Sequence, residues 1–182
     1  MKNQLLYDDK WVQLKRIIAP ELGINGYTYS HEIRCDGKII SILPFKIKDE
    51  KFSFLLRREA TPCWGLDKPI LSSITGGVDK GFTASQTAVK ELSEESGYNV
   101  NEYELIFLGK SYGTKSCDTV YTLYSVNLTD KDKTSELKIE SDLDKSAACF
   151  WLDNDFIFDC MDPLVSVTYT RLMKKFSDGL LI

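Results

Sequence analysis

Several broad classes of protein are excluded by what the sequence does not contain. Its five cysteines, Cys35, Cys63, Cys117, Cys149 and Cys160, are odd in number, widely spaced and without a C-x-x-C pair. That pattern argues against a disulfide framework and against a zinc site, and it reads as reduced thiols in a cytoplasm. There is no run of basic residues, and 23 Lys and Arg against 27 Asp and Glu leave a formal charge of −4. A DNA or RNA duplex is therefore not an expected partner. No apolar stretch approaches the length that spans a bilayer, and MKNQLLYDDKW reaches charge after two leucines, too soon for the core of a signal peptide. The expectation is a chain that neither spans a membrane nor is exported by that route. Internal repeats and low-complexity segments are absent as well.

With 182 residues, 43% hydrophobic and 12% aromatic, the composition predicts one globular domain over residues 1–182 with a substantial core. Alternation of Val12, Leu14 and Ile18 against Gln13 and Lys15 predicts a half-buried strand over 11–18. Tyr27, Tyr29, His31 and Ile33 predict a second over 27–33. KIISILPF and FSFLLR, joined by the charged turn KIKDEK, suit two more deeply buried strands forming a hairpin. A loop with Pro62, Gly65 and Pro69 then leads into ILSSITGG, read as one short strand entering a glycine turn.

Further strands are expected at YELIFLG, DTVYTLYSVNL and AACFWL, with the charged stretch 129–146 forming a long surface loop before the last of them. Asp162 and Pro163 make a good cap and first turn for a C-terminal helix carrying Leu164, Val167 and Leu172. Strands, helix, strands, helix imply an α/β or α+β fold, a sheet with helices packed on it.

The chemistry concentrates in GGVDKGFTASQTAVKELSEESGY, residues 76–98. Thr83 and Gln86 form a capping pair and Gly97 a natural stop, so Thr83 to Ser96 predicts a helix. On it Glu94 lies about 60° to one side of Glu91 and Glu95 about 40° to the other, so three carboxylates share a face. Each like-charged i, i+4 pair costs a few tenths of a kcal/mol, and acids near a helix C-terminus oppose its dipole. A hard divalent cation would turn that repulsion into coordination, with Mg2+ the first guess and Mn2+ close behind, and such a cation bridges to phosphate oxygens. The alternative is a solvated acidic face.

The glycines that frame this helix make the stretch resemble the Nudix hydrolase box, G-x5-E-x7-R-E-U-x-E-E-x-G-U, with U a bulky apolar residue. The matching positions are Gly76, Glu91, Leu92, Glu94, Glu95, Gly97 and Tyr98; Phe82 stands for the first glutamate and Lys90 for the arginine. The resemblance implies a mixed β-sheet sandwiched between helices, with residues 36–182 as core and 1–35 as an extension of additional antiparallel strands. It implies metal held by Gly76, Glu91, Glu94 and Glu95, with Glu91 a candidate base. Because the departures at 82 and 90 look like one altered salt bridge, Phe82 is expected to pack the loop in its place.

A base outside the box is offered by Glu136, Glu140 and Asp142 on the acidic loop, with Glu140 the candidate, though solvated loop charge is the plainer reading. Arg57 and Arg58 are candidates to meet substrate phosphates, together with Gly76, Gly77 and Lys90, or else are surface charges at a strand end. Trp11, Tyr27, Tyr29 and Trp64 are candidates for stacking on a base or for core and interface packing, and His31 is expected to be structural. The N-terminal strands resemble those of ADP-ribose and nucleotide-sugar pyrophosphatases, which implies hydrolysis of such a nucleotide and a possible homodimer. Those enzymes usually carry Glu-Leu-Pro-Ala-Gly into the box, where this chain has Ser72 to Gly76. A nucleoside triphosphate as substrate, or a Nudix-fold module that binds nucleotide with little turnover, are the alternatives.

Overall fold

In the computed structural model, which describes residues 1–64, 68–134, 137 and 147–181, the chain forms two sheets and two α-helices. The first sheet is N-terminal and antiparallel, in the order β1 (Lys2–Asp8), β2 (Val12–Ala19), β3 (Ile24–Glu32). The sequence reading expects no strand at β1, because all seven of its residues are exposed and leave no alternation to detect. Its hairpin is made by Asp9, whose Oδ1 accepts from the amides of Trp11 and Val12, each at 2.7 Å. That is the backbone-mimicking turn that aspartate favours.

The second sheet holds β4 (Lys38–Lys48), β5 (Lys51–Glu59), β6 (Ile70–Ser72), β7 (Ile74–Gly77), β8 (Ile106–Tyr112), β9 (Val120–Asn127) and β10 (Ala148–Asp153). Its path is β10-β5-β4-β9-β8, with β6 on β5 and β7 on β4. Only β4 and β9 run parallel among the paired strands, so the sheet is mixed, as expected. One edge of β4 changes partner midway: Ile39–Ile42 face β7, and Phe45–Lys48 face β5. Pro44 falls in the gap between the two pairings, where its missing N–H costs neither ladder a bond.

Two helices cover this sheet, α1 (Ala84–Ser96) and α2 (Pro163–Ser177). Alternation along the strands feeds both. Ile40, Ile42, Leu55, Tyr124 and Val126 pack with Ala88 and Leu92 of α1. Leu43, Phe45, Phe54, Leu56 and Leu123 pack with Val165 and Leu172 of α2. These central strands are buried on both faces, which is why they read as continuous apolar runs.

The single strand expected over 70–77 is two strands, broken at Ser73. Its amide and hydroxyl both donate to Asp162 Oδ2, at 2.9 and 3.0 Å, so it leaves the ladder. Asp162 Oδ1 also accepts from Leu164 N at 2.9 Å, so one buried carboxylate caps α2 and fixes the strand break. The strand expected to start at Tyr103 begins at Ile106 instead, because Glu102–Glu104 form a 3₁₀ turn closed by Asn101 and Glu104.

Candidate functional site

Helix α1 is fixed at both ends as the sequence predicts. Thr83 Oγ1 accepts from Gln86 N at 3.1 Å, Gln86 Oε1 accepts from Thr83 N at 3.0 Å, and Gly97 takes the left-handed conformation with φ of 78°. With Ala88 and Leu92 buried beneath it, the helix holds Glu91, Glu94 and Glu95 in the partly covered groove beside β7 and β5.

Gly76 makes room for this arrangement. A Cβ there would lie 2.3 Å from Glu91 Cγ and 2.6 Å from Glu91 Oε1, so any other residue would displace the carboxylate. Gly77 faces the opposite side of β7. A Cβ on it would lie 2.9 Å from Cys35 Cβ and 3.8 Å from Arg34 Nη2. The two glycines thus admit two different neighbours.

Two cations lie among the three carboxylates. Arg57, 6% exposed, reaches from β5 to place Nη1 2.6 Å from Glu95 Oε1, and its Nε lies 3.1 Å from Glu59 Oε2. Ser72 Oγ donates to Glu59 Oε1 at 2.9 Å, extending the chain to Glu95–Arg57–Glu59–Ser72. Lys90 Nζ stands 3.9 Å from Glu91 Oε1, 3.7 Å from Glu94 Oε2 and 3.7 Å from Asp79 Oδ2. Burial pushes the Glu95 carboxyl up to about 8, with Glu91 and Glu59 acting the same way and Arg57 pulling against them. Burial likewise pushes the Cys149 thiol up to about 11, helped by Glu95.

These residues suit a hard divalent cation. Every donor on the helix face is a carboxylate oxygen, and Glu95 Oε2 is buried with no hydrogen-bond partner among the described residues. An uncompensated buried oxygen of that kind is costly unless a cation meets it. Among the described residues no three carboxylates, thiols or imidazoles are already drawn together around one ion position, and the side chains of Lys90 and Arg57 supply the neutralising charge.

The other expected residues divide clearly. Arg57 joins the carboxylates, whereas Arg58, its neighbour on the strand, points to the opposite face and stacks over Phe150 at 4.8 Å. Glu136, Glu140 and Asp142 lie outside the described residues. Phe82 does not pack the loop as expected: it is 51% exposed. The loop is tied to the helix instead by Asp79, three residues earlier, through Lys90.

Among the aromatic candidates, Trp11 is exposed under Lys10, and Tyr27 donates its hydroxyl to Lys115 O. Trp64 lines a cavity of about 420 Å³ with Tyr121, Met161 and Pro163. His31 meets Asp118 at 2.9 Å and joins β3 to the segment before β9, a structural part. Sequence reading missed Glu59, which period 2 puts on the same strand face as Arg57, and it missed Asp79 and Arg34, for which no local pattern exists.

A family model described as the NUDIX domain matches residues 39–163. No curated protein matches the chain in sequence. Among solved structures, the crystal structure of an ADP compounds hydrolase superposes with a TM-score of 0.68, covering 100% of this chain and 95% of its own. The two are 17% identical, so the likeness is one of fold.

Proposed function

We propose, on the premise that this chain belongs to the Nudix family of pyrophosphate-cleaving hydrolases, that it cleaves the diphosphate bridge of a nucleoside diphosphate derivative, an ADP-ribose-like compound or a nucleotide sugar. The observation that carries this reading is the three-carboxylate face of α1 set against Gly76, where Glu91 has the space of an absent side chain. The nucleotide class is supported by the superposition on an ADP compounds hydrolase, which runs over the whole of this chain, N-terminal residues included.

In this reading Glu91, Glu94 and Glu95 would hold Mg2+ or Mn2+, together with the backbone of Gly76. When bound, such an ion neutralises phosphate charge and lowers the pKa of water. The chain's own residues do the positioning. Glu91, beside the glycine loop, is placed to take the proton of the attacking water. Arg57, itself held by Glu59, fixes the Glu95 carboxylate in one orientation, and Lys90 stands between Asp79 and the Glu91 and Glu94 side chains that would hold the ion. Removing charge and fixing geometry is most of what phosphoryl chemistry asks of a protein.

A second reading, a Nudix-fold module that binds nucleotide with little turnover, is favoured by one observation: Lys90 and Arg57 already neutralise the acidic face. Release of phosphorylated products from a nucleotide panel with Mg2+, run beside Glu94→Gln and Glu95→Gln, separates the two. Turnover lost in both variants supports the hydrolase; tight nucleotide binding without metal-dependent turnover overturns it. The N-terminal sheet exposes Leu5, Tyr7, Trp11, Leu14 and Tyr27, an apolar surface suited to a second copy of the chain. A homodimer is accordingly part of the reading, tested by light scattering of the protein and a Trp11→Glu, Tyr27→Glu variant.

A further inference from the structure

Phe82 breaks the family's box and, being half in water, does not pack the loop; its ring makes no aromatic or cation–π contact among the described residues. It lines a cavity of about 520 Å³, within the range that small ligands occupy. Ile33, Cys35 and Val78 form the rest of the apolar wall, and Arg34, Lys38 and Lys80 bring positive charge to the rim. Two of those cations have company: Lys38 meets Asp36 at 2.6 Å, and Arg34 lies 3.5 Å from Glu32. Lys80, two residues from Phe82, has no ion pair among the described residues.

The cavity adjoins the carboxylate face. Asp79 is part of its wall and also meets Lys90, which stands against Glu91 and Glu94. Arg34 comes within 3.8 Å of the space left by the side chain that Gly77 lacks. An aromatic face, a cation without an ion pair among the described residues, and the Asp79–Lys90 contact that leads to the carboxylates match the parts of a nucleotide in order: base, phosphate, reacting bond.

We propose that this cavity receives the base of the substrate on the ring of Phe82, with Lys80 and Arg34 taking the charge of the adjoining phosphate. The inference rests on the reading of α1 as a pyrophosphatase face. It gives Phe82 a use that a glutamate could not serve, since every base has a π-face but none is held by a carboxylate in that way. Stacking on a single ring favours the larger π-face, so the site is expected to prefer purines to pyrimidines.

The test is equilibrium binding of ADP and of inorganic pyrophosphate to the full chain in Mg2+, measured calorimetrically for the parent, Phe82→Ala, Phe82→Trp and Lys80→Ala. Phe82→Ala is expected to weaken ADP about tenfold and leave pyrophosphate unchanged, Phe82→Trp to keep ADP affinity, and Lys80→Ala to weaken both. An ADP affinity in Phe82→Ala within twofold of the parent overturns the proposal, as does an equal loss for pyrophosphate. Nucleotide hydrolysis by the parent is followed in parallel. Turnover together with Phe82-indifferent ADP binding removes this inference and leaves the hydrolase reading; Phe82-dependent binding without turnover does the reverse.

Discussion

Gly76→Ala should separate catalysis from stability. A Cβ at residue 76 would sit 2.3 Å from Glu91 Cγ, where an ordinary contact is 3.4 Å or more. The Glu91 side chain, or the loop, must therefore move by more than about 1 Å, the scale at which a misplaced catalytic group costs about 10²-fold in rate. The fold is not expected to suffer. Gly76 is not among the positive-φ glycines, so alanine adopts its backbone without strain and gains about 0.5–1 kcal/mol in strand over glycine.

Against that stands an off-rotamer Glu91, worth about 0.5–1.5 kcal/mol. The two nearly cancel, and a change within about 1 kcal/mol shifts Tm by no more than about 4 °C in a chain of this size. Steady-state hydrolysis with Mg2+ beside a thermal melt reads both quantities. Gly179→Ala is the contrasting control: nothing lies within 4 Å of its Cβ, but its φ of +67° makes alanine strained, so it should lose stability and keep activity. Hydrolysis by Gly76→Ala within threefold of the parent, or a melt lowered as far as an unfolding defect would lower it, would refute the reasoning.

Two further outcomes follow from the same residues. The Glu95 carboxyl, about 8 in the fold against an ordinary 4.5, keeps a proton that the unfolded chain has released between those values. Metal-free stability should therefore fall as pH rises through that window, by up to about 1.4 kcal/mol per pH unit, and Glu95→Gln should flatten the slope. Urea denaturation in EDTA at several pH values reads it, and an unchanged slope in the variant would count against the burial argument. Restoring the box with Phe82→Glu and Lys90→Arg together should change kcat by less than about tenfold, because Asp79 already holds Lys90, while KM rises with the loss of the ring. A gain of several orders of magnitude in kcat would show that the native loop is poorly braced.

The sequence was informative wherever burial imposes a pattern. KIISILPF and FSFLLR were legible as core strands because both their faces are covered, and α1 because Thr83, Gln86 and Gly97 are local signals acting on their own helix. β1 was not legible, since nothing covers either of its faces. The break at Ser73 was not legible because its cause, Asp162, lies 89 residues away. At the site, the glutamates showed through their spacing with glycine, whereas Asp79 and Arg34 owe their positions to loop geometry alone. Phe82 differs from expectation for a related reason: an apolar residue in a loop suggests packing, and its half-exposed position depends on contacts that no local pattern encodes.

The parallel pairing of β4 with β9 also bears on the order in which the molecule can be made. Lys38 pairs with Val120 and Phe45 with Asn127, so closing that register encloses some eighty residues, α1 among them. Long-range parallel pairing is slow because loop-closure entropy is spent before contacts return it. Much of the sheet beneath Ala88 and Leu92, namely β4, β5 and β7, precedes the acidic helix in the chain, and the closure adds Tyr124 and Val126 of β9 to that core. A nascent chain halted before β9 would therefore carry the whole box over an incomplete core, with the side chains that meet the glutamates already made.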